Sequence, residues 1–491
     1  MKSYRPPSPF SQLIHLSLFI LILIGCQEKL DLTINPKGDD GQVFAIDTKD
    51  SEIPYLVIDT QGASIPYEPG VPAHLKIYEN KKLVQTQRID IEFRGKTSFR
   101  LSDKKGFNFE TIDASGEGVD VSFFGMPAEE DWRLIGQVVN KSNGYIWDQS
   151  MLYNYIGYEL SRSIGKYASR GVFVELEVNG EYQGVYYFCE KLKRDSQRID
   201  IKSLNATSTN LTGGYILTID KVSIGDAGIG KPLSYFYNNW DDDARYTEHN
   251  SFRSQYDIFK NKITFPPFQP PYHQNQHLET YFLYEYPKDR NITEAQKSYI
   301  AQYMYDFETA LITDDFDKGE RNYAEFINIE TFVDYFIINE LCRNVDAYRL
   351  STYLVKDRNE KLSMGPVWDM NIGFDETDRI PFNDWVINYN SYVSQDAWMM
   401  PFWWNRLLDD PEFRKVLKIR WINFRSNVLS NSRLTQLVEN VSQYLQSNGA
   451  VARNYEKWNI SGARPYDQAI EELKSYLMER ANWMDSEIGN F

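Results

Sequence analysis

Hydrophobic and polar positions alternate through the first part of the chain, which predicts a strand-rich region from about 53 to 220. The segments YLVIDT, AHLKIYE, RIDIEFRG and GFNFET alternate apolar and polar residues or carry β-branched and aromatic runs. The segment VFVELEVNGEYQGVYYF predicts a β-hairpin, because Asn179-Gly180 supplies the two positive φ angles of a type I′ turn. One helix, within IWDQSMLYNYIGYELSRSIG, interrupts the strands, and the strand GGYILTID closes this part at Asp220.

The spacing of apolar positions becomes helical beyond residue 293. Five segments follow the helical period: EAQKSYIAQYMYDFETAL, NIETFVDYFIINELCRNV, PEFRKVLKIRWINFRSNVL, LTQLVENVSQYLQ and AIEELKSYLMERANWMDSEI. The stretch 221–292 is acidic, aromatic and rich in proline, without a sustained period, and is interpreted as a long insertion. The sequence therefore predicts an α+β protein with a strand-rich part at 53–220, an insertion at 221–292 and a helical part at 293–491.

The N-terminus has the pattern of a targeting segment rather than of a membrane span. The first 25 residues begin with basic residues and contain the apolar run LSLFILILI, which is far shorter than the ~20 residues that a transmembrane helix needs. The tetrapeptide LIGC resembles a bacterial lipobox, so Cys26 is predicted to carry lipid and residues 26–52 to form a polar tether. The alternative is ordinary cleavage nearby with an incidental cysteine. The prediction is an exported lipoprotein of the bacterial cell envelope, 1–25 being its signal peptide.

Charge and the scarcity of two residue types restrict the chemistry. The 69 acidic residues exceed the 53 basic ones, and the net charge is −16, which argues against non-specific binding to nucleic acid or to an anionic membrane. Cys189 and Cys342 lie in apolar contexts and are predicted to be buried free thiols, with a disulfide as the alternative. Histidine occurs only five times, without metal-binding spacing. Carboxylates are left as the candidate catalytic groups.

Two aspartates are predicted to meet at one end of a hairpin within NVDAYRLSTYLVKDRNEKLSMGPVWDMN. Asp346 precedes one strand, and a turn near Asn359 would pair Ser351 with a residue close to Val367, which returns Asp369 to the same end. Carboxylates placed this close normally bind a cation or share a proton. A Mg²⁺ ion would bridge Asp369, an oxygen of Asn371 or Ser351, and substrate phosphates. The alternative is that Asp346 caps a loop and Asp369 merely ends a strand.

Several longer segments carry a resemblance to a known family. In chain order they are IEFRGKTSFR, DKKGFNFE, WDQSMLYNYIGYEL, VNGEYQGVYYFCEKLKRDSQRIDI, GGYILTIDK, FIINELCRNVDAYRLSTYLVKD, GPVWDMNIGF and FWWNRLLDDPEFRKVLKIRW. Through them the chain, from about residue 54 to 488, resembles the spore coat protein H-like (CotH) family of atypical kinases. The resemblance implies a diverged, two-lobed protein-kinase-like fold with a strand-rich N-terminal lobe and a helical C-terminal lobe. It also implies a secreted or envelope-associated enzyme that uses ATP and Mg²⁺.

The resemblance assigns roles to particular residues. Asp346 matches the catalytic aspartate and Asp369 the metal-binding one, with Asn371 and Ser351 beside it. Lys104 or Lys105 would contact phosphate with Arg94 nearby, and Glu190 would end a strand at the nucleotide cleft. The chain departs from the usual pattern at Ser351, where typical kinases have Asn, at Asn371, where many relatives have a second Asp, and at Lys96, where the RG turn usually continues with Asn.

Three functions follow as hypotheses. The first is a kinase that transfers phosphate to Ser or Thr of an envelope or secreted protein. The second is a pseudokinase-like surface scaffold that binds a protein partner. The third is glycan binding, suggested by the aromatic content and by the run Phe402 to Trp404.

Overall fold

The computed structural model describes residues 53–222, 246–268, 276–374, 379–394, 396 and 398–491. These residues form both sheets and helices, so the α+β prediction is confirmed. The strands are β1 (Tyr55–Asp59), β2 (Val71–Glu79), β3 (Lys82–Arg94), β4 (Gly106–Ile112), β5 (Asp131–Ile135), β6 (Val138–Asn140), β7 (Tyr145–Trp147), β8 (Gly171–Val178), β9 (Glu181–Glu190), β10 (Tyr215–Ile219), β11 (Ser251–Asp257), β12 (Glu279–Tyr286), β13 (Thr352–Lys356) and β14 (Leu362–Met364). The helices are α1 (Thr97–Leu101), α2 (Tyr153–Ser163), α3 (Glu294–Thr313), α4 (Ile329–Cys342), α5 (Tyr389–Tyr392), α6 (Trp403–Asp409), α7 (Pro411–Arg425), α8 (Asn431–Ser447), α9 (Ala450–Lys457) and α10 (Tyr466–Gly489).

Seven strands of the first part close into a barrel in the order β1-β2-β3-β4-β5-β9-β8. Closure is made by parallel pairing of β1 with β8, whereas the other neighbours are antiparallel. The apolar positions of the alternating pattern fill the interior with side chains such as Ile58, Ile91 and Phe188. The predicted β8–β9 turn is confirmed, because Asn179 and Gly180 have φ of 51° and 80°.

A second, five-stranded sheet has the order β11-β12-β10-β13-β14. Two of its strands, β11 and β12, lie in 221–292, where no regular structure was predicted; residues 223–245 and 269–275 of that stretch lie outside the described residues. Strand β12 was not predicted, because six of its eight residues, ETYFLY, are buried and the sequence shows no alternation of apolar and polar positions. This region therefore completes the second sheet between β10 and the helical part.

The helices beyond residue 293 form a large core together with α2 and the second sheet. All five predicted helices are present as α3, α4, α7, α8 and α10, and the shorter α6 and α9 add to them. Trp403 and Trp404 are 1% and 2% exposed, so the aromatic run that suggested glycan binding belongs to the core. Cys189 and Cys342 are free and buried, as predicted. Within the described ranges, helices long enough to cross a membrane lack the necessary apolar character.

Candidate active site

A cleft of about 1440 Å³ opens between the barrel and the second sheet. Its lining includes Arg94 at the end of β3, Asp220 just after β10, and both predicted aspartates, Asp346 and Asp369. Among the described residues that line it, ten are basic and eight are acidic, although the whole chain has a net charge of −16. The cleft therefore concentrates positive charge on a protein that is acidic elsewhere, which favours anionic ligands.

The β13–β14 hairpin brings Asp346 and Asp369 to the cleft. Its register pairs Leu354 with Met364 and Lys356 with Leu362, around a turn in which Asn359 has φ of 60°. The same register continued backwards sets Ser351 opposite Val367, as the sequence predicted. The hairpin thus explains why two aspartates separated by 22 intervening residues line one cavity.

Asp346 is held by a buried arginine. Arg349, whose side chain is 1% exposed, donates from Nη2 to Asp346 Oδ1 at 2.6 Å. The same guanidinium donates to the carbonyls of Val345 and Trp398 and lies 3.2 Å from an oxygen of Asp396. Among the described residues, the side-chain contacts of Asp346 fall on Oδ1. The Oδ2 atom is therefore free to accept a proton from a hydroxyl in the cleft.

Behind the loop that contains Asp346, the buried carboxylate of Glu340 contacts three separate segments of the chain. The Glu340 side chain, on α4, accepts from the hydroxyl of Tyr348 at 3.2 Å and from the backbone N–H of Val386 at 2.7 Å. Arg480, on α10, donates to it at 3.1 Å. Burial raises the pKa of Glu340 to about 7, although Arg480 opposes the shift. Glu340 thus fixes the loop that follows Asp346 against α10.

The backbone at Asp369 is held in an unusual conformation by α2. Asp369 has φ of 54°, in the left-handed region that is sparsely populated by residues other than glycine and often found at functional sites. Asn154 accepts the N–H of the next residue, Met370, at 2.9 Å. A Cβ on Gly157 would lie only 2.6 Å from the Met370 side chain, so that helix position requires glycine. The helix α2 is therefore the element that positions Asp369.

Asp369 lies on the floor of the cleft in a mixed electrostatic environment. Burial raises its pKa to about 6, Arg94 acts in the opposite direction, and Asp346 and Asp220 raise it further. The preceding Trp368 stacks on Tyr158 at 5.7 Å, and the guanidinium of Arg133 lies 4.4 Å from the centre of its ring. The aspartate thus sits beside a rigid aromatic platform that also orients basic groups.

Ser351 and Asn371 line the same cleft as Asp369. Their hydroxyl and amide oxygens, with the Asp369 carboxylate, form a set of hard oxygen donors, which is the kind that Mg²⁺ prefers. Ser351 also has a positive φ, 48°. These residues fit a magnesium ion by chemistry, and the neighbouring Arg94 fits the phosphates that such an ion would accompany.

Comparison with known proteins identifies a family for this chain. Residues 91–484 match the model of a family described as CotH kinase protein, which covers the second sheet, the cleft aspartates, the end of β3 and the barrel strands that follow it. The chain belongs to the CotH kinase family. A search of curated proteins found no match. Membership in the CotH kinase family makes an atypical kinase activity the function to test against the geometry.

The CotH resemblance suggested a phosphate contact at Lys104 or Lys105, and the structure does not bring either side chain to the cleft. Lys104 is 2% exposed, and its Nζ donates to the Val185 carbonyl at 2.6 Å and to Asn454 at 2.8 Å. Burial holds the pKa of this lysine well below its usual range. Lys105 donates to the carbonyls of Phe99 and Ser102 at the end of α1. Both lysines lie in the turn between α1 and β4, where no strand alternation indicates the direction of a side chain.

Glu190 ends β9 as predicted but lies outside the cleft lining. It is 0% exposed, and its two oxygens bind Arg170 at 2.6 and 2.9 Å and Arg198 at 3.3 Å. Tyr167 also donates to it. The contacts satisfy this carboxylate with fixed protein partners, which is the pattern of a structural group.

The structure adds cleft residues for which the sequence predicted no role. Arg133 on β5, Arg349 after Asp346, and Asp220 and Lys221 after β10 all line the cavity. Lys96, noted in the sequence only as a departure from the RG turn, lines it as well. One signal was available for Asp220. It follows β10, and β10 pairs with β13, the strand that begins just after the Asp346 loop. The last residue of β10 and the first residue of β13 therefore lie side by side at one end of the sheet.

Proposed function

We propose that this CotH-family chain is an atypical kinase that transfers phosphate from a nucleotide to a Ser or Thr hydroxyl of an envelope or secreted protein. The observation that carries the proposal is the meeting of Asp346 and Asp369 in a cleft where basic residues outnumber acidic ones. Phosphoryl transfer depends on positioning and charge neutralisation more than on covalent chemistry, so neither histidine nor cysteine is required.

Each residue of the cleft has a distinct role in the proposed phosphoryl transfer. Asp346, oriented by Arg349, accepts the proton of the acceptor hydroxyl on Oδ2. Arg94 faces the negative charge that develops on the transferred group. Asp369, Asn371 and Ser351 would hold Mg²⁺, which when bound neutralises phosphate oxygens. The platform of Trp368 keeps Arg94 and Arg133 pointing along the cleft wall.

The proposal extends to architecture and compartment. The barrel would act as the N-terminal lobe of a diverged kinase and the helical part as its C-terminal lobe, with ATP between them. The segment 1–25 would direct export and a lipid on Cys26 would anchor the chain at the envelope, its only membrane attachment. The acceptor would then be a protein exposed in that compartment.

The test is phosphate transfer from labelled ATP, with Mg²⁺, to the chain itself and to a panel of Ser/Thr peptides. Asp346→Asn and Asp369→Asn are expected to lower the rate about 10²–10⁴-fold, because each removes a group that acts directly on the reacting atoms. Glu471→Gln, which neutralises a carboxylate on α10 paired with Lys474, is the matched control. Transfer at the wild-type rate in either aspartate variant would contradict the assigned roles.

The scaffold hypothesis gives a different result in a binding experiment. Calorimetry of the wild-type chain with ATP, with and without Mg²⁺, should show metal-dependent binding if the chain is a kinase. Binding that does not depend on Mg²⁺, or no binding, would favour a pseudokinase-like scaffold. The replacement of the usual Asn by Ser351 and of an Asp by Asn371 makes this the informative comparison.

A further inference from the structure

Two lysines reach into the cleft from its opposite walls. Lys96 lies in the turn between β3 and α1, where Gly95 has φ of 93°, and Lys221 follows β10 on the second sheet. The ammonium of Lys96 donates to the backbone carbonyl of Lys221 and lies 3.5 Å from Asp220 Oδ2. The ammonium of Lys221 donates in return to the hydroxyl of Thr97 at 3.0 Å. These cross-cleft lysines, Lys96 and Lys221, tie the barrel to the second sheet.

The hydrogen bonds from Lys96 to the Lys221 carbonyl and from Lys221 to the Thr97 hydroxyl use neutral acceptors, and the Asp220 carboxylate lies 3.5 Å from Lys96. Hydrogen bonds from an ammonium to an anionic oxygen are roughly twice as strong as those to a neutral oxygen. Lys221 also lies 5.0 Å from the centre of the Trp398 ring, inside the cavity. Burial lowers the pKa of Lys221, and Asp346 is the largest influence in the opposite direction. A cation held in this position gains stabilisation when an anion enters the cleft.

The position of both lysines relates them to the reacting groups. The charge of Asp346 raises the pKa of Lys221, and the charge of Asp220, next to Lys221, raises the pKa of Asp369. Lys96 follows Arg94 by two residues, and Arg94 lowers the pKa of Asp369. Both lysines line the same cavity as Asp346 and Asp369.

We propose that Lys96 and Lys221 together bind the polyphosphate of the donor nucleotide, exchanging their contacts across the cleft for phosphate oxygens. That the polyphosphate belongs to a nucleotide rests on the proposed function. The assignment places the phosphate-binding lysines at 96 and 221, because Lys104 and Lys105 are engaged elsewhere. It also gives a role to Lys96, the residue at which this chain departs from the usual RG turn.

The experiment measures binding of sodium tripolyphosphate to the full chain by calorimetry, without nucleotide and without any assay of transfer. Lys96→Met and Lys221→Met are each expected to weaken binding about tenfold or more, because each removes one charge-assisted contact. Lys96→Arg and Lys221→Arg keep the positive charge and are expected to retain binding. Lys415→Met, on the exposed face of α7, serves as the control for removal of a positive charge.

A second variant separates binding from a purely structural tie. Thr97→Val removes one acceptor of Lys221, a hydroxyl, without removing a charge, so it should leave tripolyphosphate affinity unchanged or raise it. Affinity lost as strongly in Thr97→Val as in Lys221→Met would overturn the proposal, and so would wild-type affinity in both methionine variants or no binding by the wild type. Lysine-dependent binding in a chain that transfers no phosphate would uphold the polyphosphate site and reject the kinase.

Discussion

The cleft and the buried charges behind it use the same residue types in opposite ways. At Glu190 each carboxylate oxygen contacts a guanidinium, and the ammonium of Lys104 is surrounded by amide and carbonyl oxygens. In the cleft, by contrast, the charges of Asp346 and Asp220 raise the pKa of Asp369, and Lys96 and Lys221 line an open cavity. Burial of a charge therefore does not mark function here. The two regions differ in whether fixed protein partners already neutralise or hydrogen-bond the buried charge.

The largest effect on stability is expected at Glu190, which represents the buried charges that already have fixed partners. Glu190→Gln removes the charged β9 partner of the buried Arg198, which keeps Asp195 at 3.2 Å and Glu129 at 3.6 Å. Breaking a buried pair from one side typically costs about 3–5 kcal/mol in the free energy of unfolding, and these remaining carboxylates put the expected loss at the low end, about 3 kcal/mol. Urea unfolding measures the loss, with Glu181→Gln at the exposed start of β9 as the control. A loss equal to the control would show that the Glu190 group is not structural.

Glu308 on α3 is a buried carboxyl whose donors, among the residues that the structure describes, are neutral: Ser254 at 2.7 Å and the Trp403 indole at 2.9 Å. Burial raises its pKa from 4.5 to about 7. Its contribution to stability is thus fully present below pH 4.5 and is lost as the pH rises through 7.

Glu308→Gln should consequently be more stable than the wild type at pH 8, by about 2 kcal/mol, with the difference shrinking as the pH falls towards 4.5. The amide can still accept from Trp403 and can donate to Ser254. Thermal melts of both proteins between pH 4.5 and 8 provide the measurement. Parallel pH profiles would show that Glu308 is stabilised by more than these two neutral donors.

On the cleft side, Arg349→Lys tests whether orientation of Asp346 is separate from binding. A lysine cannot reproduce the contacts of Arg349 with Asp346, Asp396 and two carbonyls. We expect kcat to fall about 10–100-fold while KM for the nucleotide stays the same, because the aspartate is misplaced and the phosphate contacts remain. Steady-state kinetics decides this, with Arg425→Lys on α7 as the control. A raised KM with unchanged kcat would instead make Arg349 a binding residue.

The smallest effect is expected at Lys105. Its Nζ binds two carbonyls at the end of α1, so Lys105→Met should cost less than about 1 kcal/mol and leave tripolyphosphate affinity at the wild-type value. Thermal melting and calorimetry test the two parts. A tenfold loss of affinity would show that Lys105 contacts phosphate, and the distinction drawn between the cleft and the rest of the barrel would then be wrong.

The parts of the site that could be predicted from sequence are those fixed by short-range pairing. The meeting of Asp346 with Asp369 follows from a hairpin whose register depends on a few consecutive residues. The environment of Lys104 could not be predicted in this way, because its partner Asn454 lies 350 residues along the chain. Strand β12 was not predicted, because both of its faces are covered and its sequence does not alternate. The role of Arg349 could not be predicted either, because it depends on contacts with Trp398 and Asp396 in a separate segment.

The contact between α9 and the barrel makes the final packing of the barrel depend on a segment far along the chain. Asn454 accepts the N–H of Val185 and binds Lys104, and Trp458 donates to the carbonyl of Gln183. While the chain is being made, every barrel strand is available long before these residues are. A nascent chain that ends before α9 would hold a buried ammonium with part of its coordination missing. The barrel is thus expected to reach its final packing only after α9 has been made, and a chain cut short before α9 would be open to proteolysis.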